Sequence, residues 1–338
     1  MIQKVYQRSC ASTFLVAVAL FIVFIPARGW SQETYEHLYK ESDILKHKIR
    51  SMAVDFYAST QGVDSVQPLA RQPDYRERYY FDGLGRTVRY EAVSTNIRVE
   101  GFIGPQLTSR YEYSEIGHAS HRHDTTVFGN AGEWNYRTDS TGRRIGDEWY
   151  RHGVNHVVAK RAYFHDSLGR LFKTKYLFGM DEDGNAEECA WQFYIRDNLS
   201  TNALGLSPEE LAFCKYSLEY QDEDGRCVRR VDYVYSSLAG STAFTYDRTG
   251  RPVKVEMLSA DNSGEASFAE IFYEPNGMVK IEIHGKGTIY DPKLSQLATV
   301  SRSFVVDNWV AWRLLREIRI MQGGHEFGRY VFLYNDRS

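Results

Sequence analysis

The sequence predicts an all-β protein: a long antiparallel β-meander of hairpins, strongly twisted or curled on itself, with a short N-terminal helix. Three observations predict it. Apolar and charged residues alternate with period two, the skeleton D-x-x-G-R recurs between the alternating stretches, and aromatic content is 14%, led by 24 Tyr. Tyr and Phe suit pleated, half-buried surfaces. A chain of 338 residues is long enough to bury a substantial core.

At the N-terminus, "MIQKVYQR" carries Lys4 and Arg8 ahead of the apolar run Ala11–Pro26, and "ARGWSQ" follows with Ala27 and Gly29. Charge, apolar run and small residues form the tripartite pattern of an export signal, expected to span residues 1–31. An uncleaved anchor is the alternative, because the run approaches the thickness of a thin bilayer. Cys10 precedes the apolar run, which argues against a lipid-attachment site. No later run is comparable, so no transmembrane helix is expected once the signal is removed. Residues 32–46, "QETYEHLYKESDILK", have helix-forming composition and read as a leading helix. Residues 47–338 form the β-meander.

Strand signals dominate from there. "VKVEML" sets Val253, Val255 and Met257 against Lys254 and Glu256, and "VKIEIH" sets Val279, Ile281 and Ile283 against Lys280 and Glu282. "LFKTKYLF" places Phe172, Tyr176 and Phe178 opposite Lys173 and Lys175. One apolar and one charged face is the pattern of a half-buried antiparallel strand. Charges such as Arg89 with Glu91, or Lys254 with Glu256, on one strand face also argue against a lipid-embedded barrel.

The D-x-x-G-R copies are "DGLGR" at Asp82, "DSTGR" at Asp139, "DSLGR" at Asp166, "DEDGR" at Asp222 and "DRTGR" at Asp247. Composition alone predicts roughly 0.1 such matches, so five constitute a repeat. Weaker copies stand at Asp181, Asp261 and Glu274. Each position has a physical role. Asp82, Asp139, Asp166, Asp222 and Asp247 can accept backbone N–H groups at the turn entry. Gly85, Gly142, Gly169, Gly225 and Gly250 can supply positive φ. The Arg opens the next strand, where it can pair with the Asp or lie over an aromatic ring. This is turn chemistry, and it leaves no group that must react.

"TYDRTGR" resembles the unit of the RHS/YD-repeat family, and "FDGLGR" and "HDSLGR" match that unit less its Tyr. "VVDNWVAWRLLREIR" (Val305 to Arg319) is similar to the D-x-x-G-N-W ending of degenerate relatives, with Asn308 and Trp309 kept and the Gly missing. The likeness is patchy over residues 79–336. It implies β-hairpin strips in an exported bacterial protein and says little about activity. The spacing departs from a regular repeat: the full copies are 57, 27, 56 and 25 residues apart, with 27 more to Glu274. The chain is also far shorter than the toxin-enclosing shells of large family members.

Several constellations bear on function. In "GHASHRHD", His121 and His123 share a strand face and could hold zinc with a third ligand from a neighbouring strand, while His118 points the other way unless a bulge intervenes. An exposed polar strand is the competing reading, and no metal or other cofactor is expected. Neither acidic loop fits an EF-hand, because Gly179 and Tyr220 fall at the first ligand position. No G-x-S-x-G elbow is present, and Ser207-Pro208-Glu209-Glu210 reads as a helix N-cap. Trp134, Trp149, Trp191, Trp309 and Trp312 could form a binding strip on a concave sheet, or serve as core. Without Cys10 three cysteines remain, of which Cys189 and Cys214 could bridge the least regular segment. Net charge of -3 argues against a nucleic-acid surface. The expectation is a non-catalytic scaffold or binding module of the bacterial envelope, periplasmic or at the cell surface, that binds an envelope protein or glycan. A secreted hydrolase or metal-dependent enzyme acting on glycan is the alternative.

Overall fold

In the computed structural model, residues 41–58, 72–94, 107–114, 117–126, 129–196, 205–259, 267–286, 292–307 and 314–336 are described, all within one unit, Glu41–Ser338. The export signal, the first part of the leading helix, the weak hinge at Asp261, Trp309 and Trp312 lie outside them. Helix α1 spans Glu41–Lys46. The first ten strands are β1 Ile49–Ala58, β2 Tyr75–Phe81, β3 Thr87–Ser94, β4 Leu107–Tyr113, β5 Ala119–Thr126, β6 Gly129–Thr138, β7 Arg144–Arg151, β8 Val157–His165, β9 Leu171–Met180 and β10 Ala186–Arg196. Helix α2, Pro208–Phe213, precedes β11 Lys215–Gln221, β12 Cys227–Val234, β13 Ser237–Tyr246, β14 Pro252–Ser259, β15 Ser267–Tyr273 and β16 Met278–His284. Helix α3, Pro292–Asp307, precedes β17 Glu317–Gln322 and β18 His325–Asp336.

Every strand pairs with its sequence neighbours, and β1 also pairs with β18, so the sheet closes into an 18-stranded barrel. The curl expected from the sequence is therefore complete. The meander is not wholly antiparallel, because β10 with β11 and β16 with β17 are parallel. Parallel neighbours need a crossover, and α2 and α3 lie on those two crossovers. A right-handed crossover fixes which face its helix covers. Since β10 and β16 run in opposite directions, the rule places α2 and α3 on opposite faces of the wall. Helix α2 packs outside, where Leu206, Leu211 and Cys214 join Trp191, Phe193, Ile195, Leu218 and Val231. Helix α3 packs inside against β14, β15 and β16, with Leu294, Leu297, Ala298 and Val305 buried on one stripe.

Register separates the two faces of the wall. Val54–Glu77–Ala92, Ser109–Asp124, Asp147–Arg161–Tyr176–Ala190 and Phe244–Val255–Ala269–Ile283 are cross-strand rows on one face, and every member is buried. That face is the lumen. Lys254–Glu270–Glu282, Lys280–Arg319–Arg329 and Glu148–Lys160 are rows on the other face, pointing to water, and Arg78–Glu91 is a row on that face whose Glu91 is buried. Cations are matched along strands, as in Lys280–Glu282 at 2.9 Å and Arg329–Glu326 at 2.8 Å, and across strands in Lys160–Glu148 at 3.5 Å. Such pairs contribute only about 0.2–1 kcal/mol each. The lumen is itself divided. Around α3 its wall is apolar, with Ile281, Ile283, Ile318 and Ile320, and from β4 to β12 it is polar and aromatic.

The five D-x-x-G-R segments are five hairpin turns with one geometry. The Gly φ angles run from 78° to 83°. In every copy Oδ1 of the Asp accepts the Arg N–H at 2.8–3.0 Å, and Oδ2 accepts the Arg Nε–H at 2.7–2.8 Å. The strands entering these turns all run in one direction, so the turns line one rim. That explains the spacing: a hinge recurs once per hairpin, not once per strand. A serine variant, Ser114 to His118, falls inside the 57-residue gap, with Gly117 at φ 90° and the His118 N–H donating to Ser114 Oγ at 3.3 Å. The 56-residue gap holds β9, β10 and the α2 crossover. Asp181 caps the same kind of turn on the opposite rim, bonded to Asn185.

Neighbouring hinges interlock. Arg86 lies over the Tyr113 ring at 4.3 Å, Arg226 over Tyr246 at 5.1 Å and Arg251 over Tyr273 at 4.8 Å. Each Tyr precedes the next hinge and reaches back to donate to a carbonyl beside that Arg: Thr87, Cys227 and Pro252, at 2.7, 2.8 and 2.9 Å. The guanidinium then fills the space over the next glycine, so a Cβ on Gly250 would meet Arg226 Nη1 at 2.8 Å. The Tyr of the "YD" unit is a brace between consecutive hairpins.

These carboxylates make stability acid-sensitive. Burial works against ionisation of Asp247, but bonds from Thr249 and Arg251 outweigh it and hold the group at about 2. The pKa values of Asp82, Asp139, Asp166 and Asp222 are also lowered. A folded-state value below the unfolded value of about 3.9 stabilises the fold above that pH, and the gain disappears as pH falls through the folded value. The melting temperature is expected to fall between about pH 4 and pH 2. The deficit of Asp247→Asn relative to wild type should shrink over the same interval. A deficit independent of pH would show that the carboxylate charge contributes nothing.

Candidate functional site

The polar half of the lumen holds an extended side-chain cluster, on β4 to β10. Trp134, Trp149, Ala159, Phe178 and Glu188 form one cross-strand row in the half of the barrel away from the hinge rim. Trp134 and Trp149 stack with centroids 6.2 Å apart at 27°, and Tyr176 and Phe178 stack at 6.2 Å and 6°. Ala159 separates the two pairs with a single methyl group. Phe178 is 37% exposed, Glu188 is exposed, and both Trp rings are half-buried. Gly132 makes room for the Trp149 indole, since a Cβ there would lie 2.9 Å from Nε1 and 2.2 Å from the Tyr150 carbonyl oxygen.

Behind this row sits a buried ionic cluster. Asp147, 0% exposed, accepts from Arg144 Nε at 2.5 Å and Tyr163 Oη at 2.7 Å, and its Oδ2 lies 2.9 Å from Arg161 Nε. Arg161 lies over Trp134 at 4.4 Å, and Arg144 over Tyr136 at 4.0 Å and Tyr163 at 5.6 Å, so two cations share one carboxylate and three aromatic faces. Burial disfavours the Arg161 charge, and Tyr163 and Asp147 outweigh it, leaving its pKa raised. Burial pushes the Tyr163 phenol well up. Next along the wall, Arg122 donates to both oxygens of Asp124 at 2.7 and 2.9 Å, and Ser109 Oγ donates to Asp124 at 2.7 Å. Both carboxylates are fully engaged. The cluster orients the aromatic row and offers no free acid or base.

The structure separates the predicted aromatics. Trp134 and Trp149 come together in the lumen. Trp191 is on the outer face, 5% exposed and packed under α2 with Phe164 and Phe193, and so belongs to the core. Asp147 and Arg161 are members of the cluster that the sequence pattern did not point to, and Phe178 showed there only as an apolar-face position of its strand. The available signal was Asp147 two residues before Trp149 in one alternating strand. His121 and His123 share the outer face of β5, with rings 6.4 Å apart. Cys189, Cys214 and Cys227 carry free thiols. Cys189 and Cys214 are hydrogen-bonded neighbours, and burial together with that contact pushes the Cys189 thiol up to about 12. Burial also raises Cys227. Neither Cys189 nor Cys227 is an activated nucleophile.

No family model matches the chain, and no curated protein matches it. Among solved structures it is similar to a porin-like protein from Bacteroides uniformis, at 8% identity and TM-score 0.39, over 85% of this chain and 98% of that one. It is also similar to the TcdB2-TccC3-Cdc42 structure, at 11% identity and TM-score 0.28, over 63% of this chain and 14% of that one. The Photorhabdus luminescens Tc holotoxin pore matches at 10% identity and TM-score 0.23, over 63% of this chain and 15% of that one. The chain thus spans about a seventh of the toxin chains it matches.

Proposed function

We propose that this protein is an exported, non-catalytic binding module of the bacterial envelope that takes a glycan on the luminal row of Trp134, Trp149 and Phe178. The carrying observation is that row: stacked aromatic faces, partly open, flanked by the buried ionic cluster of Asp147, Arg144 and Arg161. Aromatic faces stack on sugar rings, and Glu188 beside Phe178 supplies an acceptor for hydroxyls. The N-terminal sequence supports export, and the braced "YD" hinges support the RHS/YD resemblance. The charged outer wall favours a barrel surrounded by water, because Lys or Arg facing mid-bilayer costs about 2–4 kcal/mol each.

Titration with cell-wall glycan fragments, followed by tryptophan fluorescence, tests the reading. Saturable quenching is expected, at least about ten-fold weaker in Trp149→Ala, as the loss of one stacking face implies. Phe178→Ala, at a more exposed position, should weaken binding with little effect on the fold. Unchanged affinity in both variants, or release of cleaved glycan by the wild type, would overturn the proposal.

A further inference from the structure

The outer face of β4, β5 and β6 carries a second arrangement, independent of the luminal row. Register sets Glu112 beside His121, His121 beside Asn135, and His123 beside Glu133, so all five side chains share one water-facing patch. The two histidines are held in the same way by β6. Asn135 Oδ1 lies 2.6 Å from His121 Nδ1, and Glu133 Oε2 lies 3.5 Å from His123 Nδ1. An amide oxygen can only accept, so the neutral imidazole that fits this contact has its proton on Nδ1 and its lone pair on Nε2. On the remaining nitrogen of His123, Glu112 Oε1 from β4 stands 3.3 Å from Nε2.

We propose that His121 Nε2, His123 Nε2 and Glu112 bind a divalent transition-metal ion of the zinc class, with Asn135 and Glu133 as the outer partners of the two imidazoles. Three features support it. Metal-binding histidines characteristically give their other ring nitrogen to a carbonyl or carboxylate, and β6 provides one to each. Bonds of about 2.0–2.2 Å place two ligand atoms of a tetrahedron roughly 3.3–3.5 Å apart, and the His123–Glu112 contact already has that separation. Residues i and i+2 on one strand face can chelate a single ion. Among the described residues no three such groups are already gathered around one point. Binding therefore requires the exposed Glu112 and the His121 ring to swing inward. With three protein ligands, a fourth position remains open to water.

The test uses the full chain, purified without a histidine tag. Zinc titration calorimetry and the visible spectrum of cobalt are read at about pH 7.5 and about pH 5. One equivalent is expected at the higher pH, with tetrahedral cobalt absorption, and binding is expected to disappear at the lower pH as the imidazoles protonate. His121→Ala, His123→Ala and Glu112→Gln should each weaken zinc binding at least about ten-fold, and Asn135→Ala and Glu133→Gln about ten-fold or more. Those positions are exposed or half-buried on the outer wall, so circular dichroism should stay unchanged. No binding by the wild type, or one equivalent retained in both histidine variants, would overturn the proposal.

Discussion

Asp147→Ala is expected to cost about 3–5 kcal/mol of stability, the loss typical of breaking a buried ion pair from one side. Asp147 is wholly buried and accepts from Arg144 and Tyr163 while pairing with Arg161. Its removal takes the shared carboxylate from two guanidinium groups and a phenol, and the faces of Trp134, Tyr136 and Tyr163 do not neutralise the cations. Urea unfolding, followed by circular dichroism, measures the loss. A variant that also replaces Arg144 and Arg161 with Met should recover most of it, because uncompensated charge, not lost volume, is the cause. A single-variant loss under about 1 kcal/mol would mean that water reaches the cluster.

Much of the wall was legible in the sequence because the pleat imposes its period on every strand. Val253, Val255 and Met257 turn inward while Lys254 and Glu256 turn outward, as alternation requires. The hinges were legible because a positive-φ Gly and a capping Asp are local requirements. The capping box of Ser207 and Glu210 is local too, and both of its bonds are present. Closure was not legible. The β1–β18 pairing joins Met52 to Tyr334, and no local code specifies a partner so distant in sequence. The two parallel steps showed only as irregular segments. Trp191 illustrates a subtler limit. Its strand, "AWQFYIR", is covered on both faces, by the lumen and by α2, so alternation no longer reports which side a residue takes. The luminal cluster was hidden for a related reason. Its partners lie on separate strands from β4 to β10, and bulges at Arg137/Thr138 and Trp149/Tyr150 shift the register between them.

Gly132→Ala should destabilise the protein by about 3 kcal/mol or more and dismantle the aromatic row. Two independent costs meet at this residue. Its φ of 147° is one that residues with a Cβ rarely adopt, and the methyl group would lie 2.2 Å from the Tyr150 carbonyl oxygen. That oxygen is backbone in the paired strand β7, so it cannot move without disturbing the β6–β7 ladder. The methyl would also displace the Trp149 indole, whose Nε1 would be 2.9 Å away. The stacked geometry of Trp134 and Trp149 should therefore go with the stability, seen as loss of the exciton couplet that two neighbouring indoles give in far-ultraviolet circular dichroism. Trp149→Phe offers the comparison: it should remove the couplet while leaving Gly132 unstrained and most of the stability intact. If Gly132→Ala kept both the couplet and wild-type stability, the backbone of β6 would be free to shift at this point. The luminal row would then be a flexible surface and not a platform held in place by its own wall.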